Sequence, residues 1–177
     1  MIIKKNKNIF IDGENIIYQK NILTYEELCK TIRKREKINI YILSKNIYFK
    51  ILDYKDKERI YKFMENTFIG SENYLIHYEE KLEKTYVYAV KSSEIVRNVL
   101  SRYDMAKVSP IEFKIKELLI KEGRKKEDKY KITFMKKEFC ISICNDMLII
   151  NNILDEEDCI QGKMILNENK EKILIYG

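Results

Sequence analysis

The sequence predicts an α/β protein of two similar lobes with mixed sheets and a small α/β subdomain inserted between them. Three observations carry this. Asn8–Ile11 runs into Asp12-Gly13-Glu14-Asn15 and out again through Ile16-Ile17-Tyr18. A second meander opens late in the chain. Ile132–Met135 turns at Lys136-Lys137-Glu138, returns as Phe139–Cys144, turns at Asn145-Asp146 and leaves as Met147–Ile150. Short apolar runs joined by tight polar turns are the mark of antiparallel hairpins. Between the two meanders, residues 47–103 read strand, helix, strand, strand, helix, a subdomain in its own right. The predicted division is therefore 1–46 (first lobe, meander plus helix), 47–103 (small α/β subdomain) and 104–177 (second lobe, meander and terminal strand).

The elements follow in order. After the first strand pair, to Leu23, Thr24 is an N-cap and Glu27 completes a capping box. The helix over Tyr25–Lys34 places Tyr25, Leu28 and Ile32 on one face. Strands are expected over Ile38–Leu43 and Ile47–Leu52, turning at Ser44-Lys45-Asn46. A charged helix from Lys55 to Phe68 buries Ile60, Phe63, Met64 and Phe68 and stops at Gly70. Strands Tyr74–Tyr78 and Tyr86–Val90 are expected to be separated by the charged stretch Glu79–Lys84. Ser92 or Ser93 caps a helix over Glu94–Tyr103 that buries Ile95 and Val99. A short strand at Met105–Val108 opens the second lobe. Ser109 and Pro110 fit the N-cap and N1 of a helix that runs to about Ile120 and ends at Gly123. The charged Lys121–Lys129 is a surface loop. Asp155–Asp158 starts a short helix or loop, and Lys172–Tyr176 is a final strand.

Composition narrows the classes. Of 177 residues, 45% are hydrophobic, enough for a core, and only 5 Gly and 1 Pro argue against long linkers. The net charge of +6 raises a nucleic acid or an anionic membrane surface as partner. Yet the basic runs Lys4-Lys5-Asn6-Lys7, Arg33-Lys34-Arg35 and Arg124-Lys125-Lys126 are short. Two of them abut acids, at Glu36 and Glu127-Asp128, so a solvated lysine-rich surface explains them more simply. The start lacks the apolar core of a signal peptide, and no run reaches membrane-span length, Asn151-Asn152 breaking the one from Met147 to Leu154. Cys29, Cys140, Cys144 and Cys159 have no metal or redox spacing. Cys140 and Cys144 share a strand face about 13 Å apart, beyond disulfide reach. Reducing cytoplasm is the expected compartment.

The order of elements resembles the actin-like fold, whose ribonuclease H-type lobes each start with a three-stranded meander. More narrowly, the chain resembles the cytoplasmic domain of type II secretion system protein L (GspL) and its type IV pilus relative, protein M (PilM). The runs that carry this are Ile38–Ser44 followed by Asn46–Lys50, then Asn73–Tyr78 after the helix, Tyr86–Val90 before the next, and Lys107-Val108-Ser109-Pro110 at the second lobe. The resemblance implies a non-catalytic cytoplasmic scaffold at the inner face of the bacterial inner membrane. Its implied partners are the assembly ATPase of the secretion or pilus machine and inner-membrane pilus or secretion proteins, with no nucleic acid; a homodimer stays open. Binding would use an exposed edge strand or the groove between lobes. Secretion members carry a membrane span after this domain. This chain carries none, so a pilus-type member or a fragment ending before the span is expected.

An actin-like ATPase needs a phosphate-cradling turn in each lobe and acids to place a metal. Asp12-Gly13 fits the first turn, although Asp-Gly is also a common hairpin dipeptide. Met135-Lys136-Lys137-Glu138, its counterpart, has no glycine, and bulky side chains there would bar close approach to phosphate. Lys172–Gly177 resembles the strand before an adenine-contacting glycine loop, but the sequence stops there. The expected nucleotide site is thus incomplete. The alternatives are an ATP-binding actin-like protein that uses nucleotide as a structural ligand, or a basic nucleic-acid-binding module.

No other constellation assembles a site. His77 is the only histidine, with Glu79 on its own strand face and Glu80 on the other. Between Ile76 and Tyr78 it reads as structural, and a histidine-rich metal centre is excluded. Asp53 and Asp56 flank a helix start, where capping explains them. Tyr41, Tyr48, Tyr61, Tyr74, Tyr78, Tyr86 and Tyr88 crowd one region; filling half-buried sheet faces is the first reading and partner contact the second. No catalytic, cofactor-binding or metal residue is assigned, and no cofactor is expected.

Overall fold

Short apolar runs closed by tight turns at the start of the chain build a sheet rather than a helix. In the computed structural model, which describes residues 6–44, 47–121, 128–134, 137–144, 146–150, 160–161, 163–167 and 172–176, β1 (Lys7–Asp12), β2 (Asn15–Tyr18) and β3 (Asn21–Leu23) form an antiparallel meander. Helix α1 (Tyr25–Thr31) leads to β4 (Ile38–Ile42), which pairs parallel with β1. Then come β5 (Ile47–Leu52), α2 (Lys57–Thr67), a single 3-10 turn, β6 (Tyr74–Lys81), β7 (Lys84–Lys91), α3 (Glu94–Arg102) and β8 (Ala106–Pro110). One sheet has the order β3-β2-β1-β4-β8; the inserted strands make their own antiparallel sheet, β5-β7-β6.

The chain divides into two compact units, residues 1–109 and 110–177. In the second, α4 (Ile111–Lys121) packs on the meander β9 (Asp128–Phe134), β10 (Lys137–Cys144) and β11 (Met147–Ile150) through its last two strands. β12 (Ile160–Gln161) pairs parallel with β9, giving β11-β10-β9-β12. β13 (Lys163–Asn167) and β14 (Lys172–Tyr176) form a separate hairpin. Third, second, first, fourth: the same strand order and the same parallel closing pair occur in both units. This is the duplicated, actin-like α/β architecture with ribonuclease H-type lobes that the pattern predicts.

The core of the first unit lies where the five-stranded sheet meets α1 and α3. Ile9, Ile11, Ile16, Ile38 and Ile40 face Leu28, Ile32, Val96, Val99 and Tyr103. A second cluster, Leu52, Ile60, Phe68, Val87 and Ala89, joins the small sheet to α2. α3 therefore packs on the main sheet, and β8, which the sequence grouped with the second lobe, is an edge strand of the first unit's sheet. Pro110 ends that strand, one residue ahead of α4.

Local signals set most helix starts. The Thr24 hydroxyl accepts from Glu27 N–H while Glu27 accepts from Thr24 N–H at 2.8 Å, a full capping box. Asp56 caps α2, accepting from Arg59 N–H at 2.8 Å, and Ser93 caps α3. α1 ends earlier than its periodicity implies. Ile32 is extended (φ −117°, ψ 126°) and fully buried, so core packing turns the chain out of the helix. The start of α3 is clasped to the small sheet. Ser92 N–H donates to Asn73 O at 2.7 Å, and Arg97 Nη1 donates to Ser92 O at 3.1 Å and Asn73 Oδ1 at 3.3 Å.

β6 and β7 run through the charged stretch expected to separate them and meet at a two-residue turn, Leu82-Glu83. Strand pairing is made by backbone, so half-exposed charged side chains are no obstacle. Both turn residues have positive φ (47° and 60°), the type I′ pattern that favours Asn-Gly. Leu82→Asn/Glu83→Gly is expected to raise stability by about 1 kcal/mol; chemical denaturation showing no gain would mean this turn is not left-handed in solution. Lys45-Asn46 of the expected first turn, Met135-Lys136, Asn145, Asn151-Asn152, Asp155–Asp158 and Cys159, with Gly123 and most of the expected loop Lys121–Lys129, lie outside the described residues.

Candidate interaction surface

β7 is the central strand of the small sheet, and Thr85–Val90 are buried on both faces. Tyr86 and Tyr88 are therefore packing residues, as is Tyr41 on β4. Tyr88 is fully buried and stacks at 5.2 Å on Phe49, and burial pushes its phenol far above the usual tyrosine range. Sheet filling accounts for these three. It does not account for Tyr48 and Tyr61, which are 36% and 53% exposed.

Tyr48 lies on β5. Among the described residues β5 pairs only with β7, so its other edge presents backbone donors and acceptors to an incoming strand. Tyr48 sits edge-on to Phe68 at 5.0 Å. The next residue, Ile69, is 88% exposed at the end of α2. Gly70 follows in the left-handed region (φ 74°), where a side chain would be strained. An open strand edge with a partly exposed aromatic ring suits an extended peptide: the backbone supplies the ladder and Tyr48 a side-chain contact. The far end of β5 is held firmly. Thr85 Oγ1 donates to Tyr54 O at 2.6 Å, Arg59 lies 4.1 Å over the Tyr54 ring, and Lys55 and Lys84 pair with Glu83 and Asp53.

The residues weighed for catalysis scatter. Asp12 and Gly13 form the β1–β2 hairpin end, with Gly13 at φ 60° and positive φ on it alone of the turn pair, the type II′ pattern. A Cβ at Gly13 would meet no atom within 4 Å, so the φ angle, and no crowding within the chain, calls for glycine there. The counterpart turn lies partly outside the described residues, as does Gly177. His77 and Glu79 share a face as expected, 3.3 Å apart, with the His77 ring 6.2 Å from Tyr88. Asp56 caps α2, and Asp53 faces Lys84 at 3.5 Å. Among the described residues no three potential metal ligands converge, and no helix is long and apolar enough to cross a membrane.

Two residues escaped the sequence reading. The Tyr103 hydroxyl donates to Ile32 O at 3.1 Å, closing the end of α1 from inside the core. Glu112, in the first turn of α4, is buried, and its Oε2 has no hydrogen-bond partner. Burial pushes its carboxyl up to about 8. The signal was its place on the apolar stripe of Ile111, Ile115, Leu118 and Leu119 at helical spacing.

No family model matches the chain, and no curated protein matches it in sequence. Among solved structures, it shares its fold with Cyto-EpsL, the cytoplasmic domain of EpsL, an inner membrane component of the type II secretion system of Vibrio cholerae. The TM-score is 0.50 at 9% identity, over 89% of this chain and 80% of that one. A Bacteroides thetaiotaomicron protein with actin-like ATPase fold and unknown function also matches, with TM-score 0.47 and 12% identity, over 82% of this chain and 67% of that one.

Proposed function

We propose that this protein is a non-catalytic scaffold of a type II secretion or type IV pilus machine, working at the cytoplasmic face of the bacterial inner membrane. It holds an extended segment of the assembly ATPase, or the cytoplasmic tail of an inner-membrane partner, along β5. The open β5 edge, with the partly exposed Tyr48 on that strand, is the observation that carries this reading. The fold shared with Cyto-EpsL supports the choice of machine.

Pull-down with the assembly ATPase and the membrane components encoded in the same genome tests it. The wild-type chain retains one of them. Tyr48→Ala weakens that capture by about tenfold or more, as expected for loss of an aromatic anchor at an interface centre, while circular dichroism shows the variant still folded. Capture of none of these components, or undiminished capture by the folded variant, removes the reading. Release of phosphate from Mg-ATP by the purified chain would remove the non-catalytic part alone.

A further inference from the structure

We infer that the end of the first unit's sheet where β1 and β4 begin is a docking face for an anionic lipid bilayer. The topology gathers its charges from separate stretches of sequence. Lys7 on β1 is level with Ile38 on β4, so the loop 33–37 opens at this end. β2 runs the other way and ends at Tyr18, whose ring Lys7 Nζ approaches to 6.0 Å, so the Gln19-Lys20 turn opens here too. Lys34 Nζ lies 4.0 Å from Asp104, which brings the end of α3 to the same place.

Lys20, Arg33, Lys34, Arg35 and Lys37 are all exposed at this end. Glu36, the acid that broke the basic run in sequence, is turned aside: it binds Lys7 and is only half-exposed. Asp104 is left as the exposed carboxylate of this group, beside Met105, a half-exposed apolar side chain. Charge complementarity therefore asks for a polyanion. The exposed side chains favour a bilayer over nucleic acid. The aromatic rings here, Tyr18 and Tyr103, are buried and offer bases nothing to stack on, whereas Met105 offers an exposed apolar side chain to a bilayer interface. Clustered Lys and Arg on one face are what an anionic leaflet attracts. The face is separate from the β5 edge, and the inference stands without the peptide-binding reading.

Vesicle co-sedimentation of the full chain tests it. The vesicles are phosphatidylcholine alone or with phosphatidylglycerol, at low and high salt. The wild type is expected to sediment with the mixed vesicles only, and to be released by salt. Arg33→Glu/Arg35→Glu reverses two exposed charges and should cut binding by about tenfold or more. Lys57→Glu/Lys62→Glu, on exposed positions of α2 with the same change in net charge, should keep it. Equal loss in both double variants, sedimentation with neutral vesicles, no binding at low salt, or tighter binding to duplex or single-stranded DNA at the same salt each overturns the inference. Circular dichroism separates a misfolded variant from a discharged one, and Lys37→Glu alone then provides a milder second reading.

Discussion

Glu112→Gln is expected to stabilise the protein at neutral pH by about 3 kcal/mol and to leave it nearly unchanged near pH 4.5. The carboxyl is buried, its Oε2 lacks a partner, and it titrates at about 8 in the folded chain. An unfolded glutamate loses its proton near pH 4.5. Between these values the folded state holds a proton that the unfolded state has released, so stability falls as pH rises through the window from about 4.5 to 8. Below it both states are protonated and the burial of a neutral acid is the same as that of the amide to within a hydrogen bond. Denaturant midpoints of both proteins at pH 5 and pH 8 decide the matter. A difference between variant and wild type that does not change with pH would mean the carboxylate has found water or a cation.

Removing Tyr103 is expected to act in the opposite sense. Tyr103→Ala should cost about 3–5 kcal/mol, because a fully buried ring between α1 and the main sheet leaves a cavity that helices cannot close. Tyr103→Phe keeps the ring and removes the hydroxyl's bonds to Ile32 O and, at 3.4 Å, Leu28 O, and should cost about 1 kcal/mol. The pair separates packing from hydrogen bonding at one position. If Phe is as damaging as Ala, the hydroxyl rather than the ring holds the end of α1.

What was legible in the sequence is what local chemistry decides. The capping box at Thr24, the caps at Asp56 and Ser93, the apolar run of β1 and the alternation of β4 need only a few neighbouring residues. The duplicated meander was legible for the same reason, each hairpin being closed by its own turn. Tertiary packing decided the rest. α1 stops where Ile32 is drawn into the core, although the sequence pattern continues to Lys34. Tyr103 looked like the last residue of a helix because its partner lies some seventy positions back. Glu112 stands in the first turn of α4, and only the packing of its helix face buries it.

The candidate surface was half legible. An edge strand as the means of binding follows from a small antiparallel sheet, but the identity of that edge depends on strand order, which no local run of residues encodes. The exposure of Tyr48 against the burial of Tyr86 and Tyr88 is likewise a property of which strand ends up central. The grouping of these basic residues was not legible in sequence for a related reason. Glu36 adjoins Arg35 along the chain yet serves Lys7 in space, and Lys20 comes from a different turn.

The clasp at Asn73, Ser92 and Arg97 has a mechanical consequence. A segment tugging on β5 pulls on β7 through their shared ladder, and β7 runs directly into the clasped start of α3. The far end of α3 is pinned by Tyr103 to the end of α1. Tension applied to the small sheet is thus borne by the whole first unit, as a bracket bolted at both ends bears a load that a hinged flap could not.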